Sequence, residues 1–171
     1  MTWPDRDYDY PRRVVHEKFV ARPIVIDDAV RNFAAVMSSR GDLWAMFGEA
    51  WRWPAQDLTL AENIVHEAWH QRTTDLRRAF YYTLLDPTET FEIGCLYIDQ
   101  PFRIGADADV SYWVRSDDLG HGLEPIVDAW ARSWLSESWP FSDVRWPGRD
   151  IPWTEVLALP RSCGTDTGAL R

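Results

Sequence analysis

Residues 66–70 of this 171-residue chain read His66-Glu67-Ala68-Trp69-His70. In that H-E-x-x-H pattern two histidines one helical turn apart hold zinc, and the glutamate between them acts as general base. The surrounding stretch "LTLAENIVHEAWHQRTTDLRR" reads as an amphipathic helix opened by a capping box of Thr59 and Glu62. At about 100° per residue, its apolar stripe of Leu60, Ile64 and Ala68 lies away from His66 and His70. Zinc also needs a third protein ligand. Thr73 and Leu76 stand where a metzincin would carry its glycine and near-ligand region, and Glu89 and Glu92 fall in a turn and a strand rather than a later helix. The expectation is a solvated face carrying Glu62, His66 and His70, with no metal. Zinc hydrolysis remains a remote alternative.

Other chemistries find little support. There is no G-x-S-x-G elbow, no phosphate loop ending in Gly-Lys-Ser/Thr and no Cys-x-x-Cys. Cys95 sits in an apolar run and reads as inert core, and Cys163 lies in the polar tail, so two reduced thiols are expected rather than a disulfide. Asp109 and His121 are the remaining acid–base candidates, the histidine because it titrates near neutral pH. Eleven tryptophans are present, of which Trp44, Trp51, Trp53 and Trp113 are candidate walls of a substrate pocket.

The elements that must position these residues follow from patterning. Residues 1–17 read as a charged lead-in, 18–159 as one domain and 160–171 as a loose tail. A strand at 18–26 precedes a helix over 27–42, an aromatic connector at 44–57 and the helix over 58–78. Strands at 79–86, 91–100 and 107–115 come next. A helix over 123–139 shows Ile126, Trp130 and Trp134 on one face, and a strand at 141–146 and a short helix at 151–159 follow. This order predicts an α/β (α+β) fold with a mixed, mostly antiparallel central sheet flanked by helices. A net charge of −9 argues against broad nucleic-acid contact and nudges toward a cationic partner such as an amine. No apolar run is long enough for a membrane span. The charged start lacks a secretory pattern, so a cytoplasmic protein is expected. A homodimer is left open.

The segment "ADVSYWVRSDDLGHGLEPIVDAWARSWL" carries a strand, a glycine-containing loop and a helix start. It resembles the acetyl-CoA site of the GNAT superfamily of N-acetyltransferases. "FVARPIVIDDAVRNFAAVM" is similar to that family's first strand and helix, and "FEIGCLYI" to its third strand, so the resemblance spans about residues 17–148. It implies a GNAT-like fold, acetyl-CoA as cofactor and acetyl transfer to a small-molecule amine. Cofactor contacts would come from Tyr112, Trp113, Val114, Arg115, Leu119, Gly120, His121 and Gly122. A backbone N–H around Tyr112–Val114 would polarise the acetyl carbonyl, and Asp109 matches a position that is often acidic in the family.

The loop departs from the family pattern Gln/Arg-x-x-Gly-x-Gly/Ala in either register. With Gly122 first, Leu119 replaces the Gln/Arg, Glu124 the last small residue, and Pro125 removes an N–H. With Gly120 and Gly122 as the small pair, Asp117 stands in the Gln/Arg place and the loop is two residues short. An acid about 4 Å from a phosphate costs about 4 kcal/mol at an effective dielectric of about 20. The C-terminal part is also short, and no tyrosine follows Tyr112 to act as general acid. Two readings stay open: a GNAT-type acyltransferase, or a GNAT-like scaffold that has lost CoA and handles another small molecule.

Overall fold

The computed structural model describes residues 3–162. Cys163 and residues 163–171 of the expected 160–171 tail lie outside the described residues. In chain order the elements are β1 (Val14–Val15), β2 (Val20–Pro23), α1 (Ala29–Ser38), α2 (Arg40–Trp51), α3 (Leu60–Asp75) and β3 (Ala79–Leu85). They continue with β4 (Glu92–Asp99), β5 (Ala108–Val114), α4 (Glu124–Ser138), β6 (Val144–Arg145) and α5 (Trp153–Ala158).

Among the described residues the strands form one sheet in the order β1-β2-β3-β4-β5-β6. Every neighbouring pair is antiparallel except β5 and β6, which run parallel with α4 as the crossover. This is the mixed, mostly antiparallel sheet expected from the sequence. Alternation along the strands splits the core in two. Phe80, Tyr82, Leu96, Val110 and Tyr112 face α4, where Val127, Ala131, Trp134 and Leu135 meet them. Tyr81, Cys95, Tyr97 and Trp113 face the other side, against Ala35, Val36, Leu43, Phe47 and Trp153.

Three expectations are corrected. The aromatic connector is helical: Leu43 and Phe47, one turn apart, bury a face of α2, and Arg52 ends the helix in the left-handed region at φ 54°. The lead-in is tied to the body, since β1 pairs with β2 and Tyr10 is buried against Phe80 at 4.7 Å between ring centroids.

The third correction concerns α3. Its capping box is present: Glu62 N–H donates to Thr59 Oγ1 at 3.2 Å, and Thr59 N–H to Glu62 Oε2 at 2.8 Å. Its faces, however, are inverted. Leu60, Ile64 and Val65 are exposed, whereas Asn63, Glu67, His70 and Thr74 are buried. Glu62 is exposed and His66 half-buried, so the solvated face holds for the first residue and fails for His70, which is only 7% exposed.

The close approach of β4 and β5 depends on Gly94. A Cβ there would lie 2.0 Å from the Trp113 carbonyl oxygen, which is backbone and cannot swing aside. Gly94→Ala is therefore expected to destabilise the fold by at least about 2 kcal/mol, the cost of forcing an extra carbon into a packed interior. Chemical denaturation of both proteins measures it, and an unchanged midpoint would contradict the packing.

Candidate active site

Val114 ends β5, and a 3₁₀ turn at Asp118–Gly120 carries the chain to α4. Arg115 N–H donates to Ile93 O on the β4 side at 2.8 Å. Alternation then turns the Tyr112 and Val114 N–H groups to the opposite edge, toward β6. On that edge the β6 ladder consists of Ala108↔Val144 and Asp109↔Arg145 and goes no further. The two parallel strands therefore part beyond Asp109, with strand amides facing the gap and the start of α4 following β5. The pin at the closed end is a buried ion pair: Arg145 Nε and Nη2 donate to Asp109 at 2.6 and 3.0 Å.

The loop leading to α4 is folded on itself. Asp117 accepts the Leu119 N–H at 3.2 Å through its side chain and the Gly120 N–H at 3.0 Å through its carbonyl. His121 N–H donates to Asp118 O and Leu123 N–H to Gly120 O. Gly120 packs so tightly that a Cβ would sit 2.0 Å from Arg115 O, while Gly122 takes φ +74° with open space around it. Leu119 and His121 are exposed. Glu124 is drawn aside by Arg149 at 2.5 Å, and that guanidinium also lies over the Tyr112 ring at 4.2 Å. The acid in the cradle thus carries its own counter-ion, and Arg149 brings positive charge beside the α4 N-terminus. The strand amides, Gly122 and Arg149 suit a pyrophosphate-bearing cofactor, although four loop amides already have internal acceptors.

Several predicted residues are placed otherwise than as cleft ligands. Arg115 is buried and turned inward, donating to Glu92 O at 3.0 Å, Ser38 Oγ at 3.2 Å and Asp117 at 2.6 Å. Trp113 is fully buried, its Nε1 donating to Tyr97 Oη at 2.9 Å. Asp109 opens β5 whereas His121 follows its far end, so the two acid–base candidates stand apart along the strand.

On the α1–α3 side of the sheet lie two openings that share Trp51. The larger, about 360 Å³, is bounded by Tyr81, Asp99, Asp109, Ser111, Arg103 and Trp153 among others, and so reaches the closed end of the β5–β6 gap. The smaller is walled by Phe47, Trp51, Trp53 and Tyr97 over Glu67 and His66. Trp51 and Trp53 both line the smaller opening, while Trp44 is not among the walls of either opening and is 41% exposed on α2.

Beneath the smaller opening runs a buried polar chain that the motif search missed. Asn63 Nδ2 donates to Asn32 Oδ1 at 2.9 Å, and Asn32 Nδ2 to Glu92 Oε1 at 2.8 Å. Thr83 Oγ1 donates to Glu92 Oε2 at 2.8 Å, and the Cys95 thiol to Glu92 Oε1 at 3.3 Å. Glu67 Oε1 meets His70 Nδ1 at 3.1 Å. A signal for it was present: Asn63, Glu67, His70 and Thr74 recur at helical spacing, a polar stripe as regular as the apolar one. Burial raises Cys95 above its usual range, which keeps it a thiol. No group of three or more His, Cys, Asp or Glu side chains among the described residues is placed to hold a metal ion. No helix among them is long and apolar enough to cross a membrane.

With this geometry in place, solved structures supply the comparison. The ribosomal-protein-S5-alanine acetyltransferase of Vibrio fischeri superposes with a TM-score of 0.56 at 21% identity, over 85% of this chain and 80% of that one. The microcin C7 self-immunity acetyltransferase MccE, in complex with acetyl-CoA and AMP, gives 0.55 at 12% identity, over 77% and 72%. The ribosomal L7/L12 acetyltransferase RimL in complex with coenzyme A gives 0.50 at 17% identity, over 70% and 67%. The fold is that of the GNAT acetyltransferases. No family model and no curated protein matches the chain. Within the GNAT fold, the β5–α4 loop is the element singled out in the sequence.

Burial pushes both Glu67 and Glu92 up to about 8, with Asp28 adding to the first and Glu67 to the second. A carboxyl raised on folding is protonated in the native state at pH values where the unfolded chain has already released its proton. The native state then binds more protons, so this contribution to stability falls as pH rises from about 4.5 and levels off above about 8. Glu92→Gln is expected to flatten the decline of melting temperature between pH 5 and pH 8. Parallel slopes for the two proteins would show that Glu92 is ionised in the native state.

Proposed function

We propose that the protein is an acyltransferase that uses acetyl-CoA to acetylate an amine. What carries the reading is the parting of β5 and β6 beyond Asp109↔Arg145, with the Tyr112 and Val114 N–H groups turned into the gap. Acetyl-CoA, when bound, supplies the acyl group activated as a thioester. Gly122, the α4 N-terminus and Arg149 serve the phosphates, and the Tyr112 and Val114 amides orient the carbonyls that run along β5. The 360 Å³ opening is of the size that takes a small molecule, and it is the entry for the acceptor. Asp99 and Asp109 line it together with Arg78, Arg103 and Arg161. Asp109, held by Arg145, fixes the closed end of the gap. His121 is exposed in the loop and stands as the second acid–base candidate.

One observation favours the second reading, a scaffold without CoA. The amides of Leu119, Gly120, His121 and Leu123 already donate within the loop, and Arg149 lies across Tyr112. Calorimetric titration with acetyl-CoA and with CoA, at low and high salt, separates the two. Salt-sensitive binding of both is expected, followed by acetylation within a panel of small amines and N-terminal peptides. No binding at millimolar cofactor would sink the acyltransferase.

The Glu124–Arg149 pair provides a sharper test. It is partly exposed, so its effect is modest. Arg149→Ala leaves Glu124 without a counter-ion beside the phosphates and is expected to weaken CoA binding several-fold. Glu124→Gln should strengthen it, and the double variant should return close to the parent. An Arg149→Ala dissociation constant equal to the parent's would remove Arg149 from the cofactor site.

A further inference from the structure

We propose that the smaller opening, between α2, α3 and β4, is a binding site for a primary ammonium group, with the Glu67 carboxylate as its counter-ion. Glu67 is only 1% exposed, yet it lines the opening. One of its oxygens, Oε1, meets His70 Nδ1. The other, Oε2, is buried without a hydrogen-bond partner among the described residues. The nearby amide donors are committed elsewhere, Asn63 to Asn32 Oδ1 and Ala29 O, and Asn32 to Glu92 and Cys95. Burial holds a proton on this carboxyl at neutral pH, so an incoming ammonium displaces that proton to solvent and then donates to Oε2.

The walls specify which donor. Phe47, Trp51, Trp53 and Tyr97 offer aromatic surface, and a cation over such faces is attracted by their quadrupoles. Burial and the adjacent His70 push His66 at the rim below its ordinary value, which favours its neutral form. The interior leaves about 20 Å³ to the centre of a water-sized group, room for one such group and no more. A primary ammonium fits that space and can donate to Oε2. A trimethylated ammonium is too large, and an alcohol brings no charge. Because Trp51 also borders the larger opening, a ligand anchored here by one amine can extend its remainder toward Asp109 and Ser111.

This site stands on its own geometry and does not require that CoA bind. The test uses the whole chain without CoA. Propylammonium, propyltrimethylammonium and propanol are each titrated while the indole resonances of Trp51 and Trp53 are followed by NMR. Saturable shifts with propylammonium alone are expected, and their midpoint should rise at least tenfold in Glu67→Gln. Equal responses to all three probes, or no response to any, would overturn the proposal, and that comparison needs no variant to fold. An unchanged midpoint in a Glu67→Gln protein of normal melting temperature would overturn it too. Ammonium binding without CoA binding would defeat the acyltransferase and leave this site standing. CoA binding with no ammonium response would do the reverse.

Discussion

The closed end of the β5–β6 gap is held by one buried interaction on which the layout depends. Arg145 grips Asp109 through two hydrogen bonds and also donates to the carbonyls of Ile104 and Arg103 at 2.9 and 3.1 Å. Four acceptors therefore surround one planar guanidinium, the condition under which a buried pair recovers its desolvation cost. The pair joins two strands whose ladder is only two residue pairs long. That ladder alone could not fix the direction in which β6 leaves the sheet. With the pin in place, α4 crosses over between the strands, and the segment after β6 brings Arg149 back over Tyr112 and beside Glu124. The gap, the strand amides and the charge balance at the loop follow from where β6 is held.

Much of the sheet was legible because its strands are apolar on both faces. "AFYYTLL" and "EIGCLYID" are covered by helices on both sides, so nearly continuous burial replaces alternation. The face of α4 was legible for the opposite reason, since Ile126, Trp130 and Trp134 sit on one stripe and pack against one core. The α2 helix was not. It carries Trp44, Met46, Phe47 and Trp51 around much of its circumference, because it contacts the sheet on one side and the aromatic segment after it on another. An amphipathic rule has little purchase on such a helix.

The site was legible in outline and not in detail. The backbone part, around Tyr112 and Val114, was named only through the resemblance to the GNAT family. Side-chain roles were not legible. Arg115 was expected to face a cofactor and instead ties the end of β5 to α1 and β4. Residues that balance one another across the fold were also invisible: Arg149 answers Glu124 from 25 positions away, and Arg145 answers Asp109 from 36. Pairings of that range depend on the crossover through α4 and leave no local spacing to read.

The inverted helix α3 shows how far a local rule can mislead. Its apolar stripe and its polar stripe have the same period, so pattern alone does not say which faces inward. The decision comes from the partner surface: Asn32 on α1 and Glu92 and Thr83 on the sheet offer polar atoms that an apolar stripe would have left unsatisfied. Each such buried group without a partner costs about 1–3 kcal/mol. Polar residues turned inward are therefore the lower-energy arrangement, even with Ile64 and Val65 left in water. Glu67 belongs to that stripe but is only half answered by it, through His70. The H-E-x-x-H letters thus lie along a buried polar seam. The oxygen without a hydrogen-bond partner among the described residues belongs to Glu67, which lines the aromatic opening.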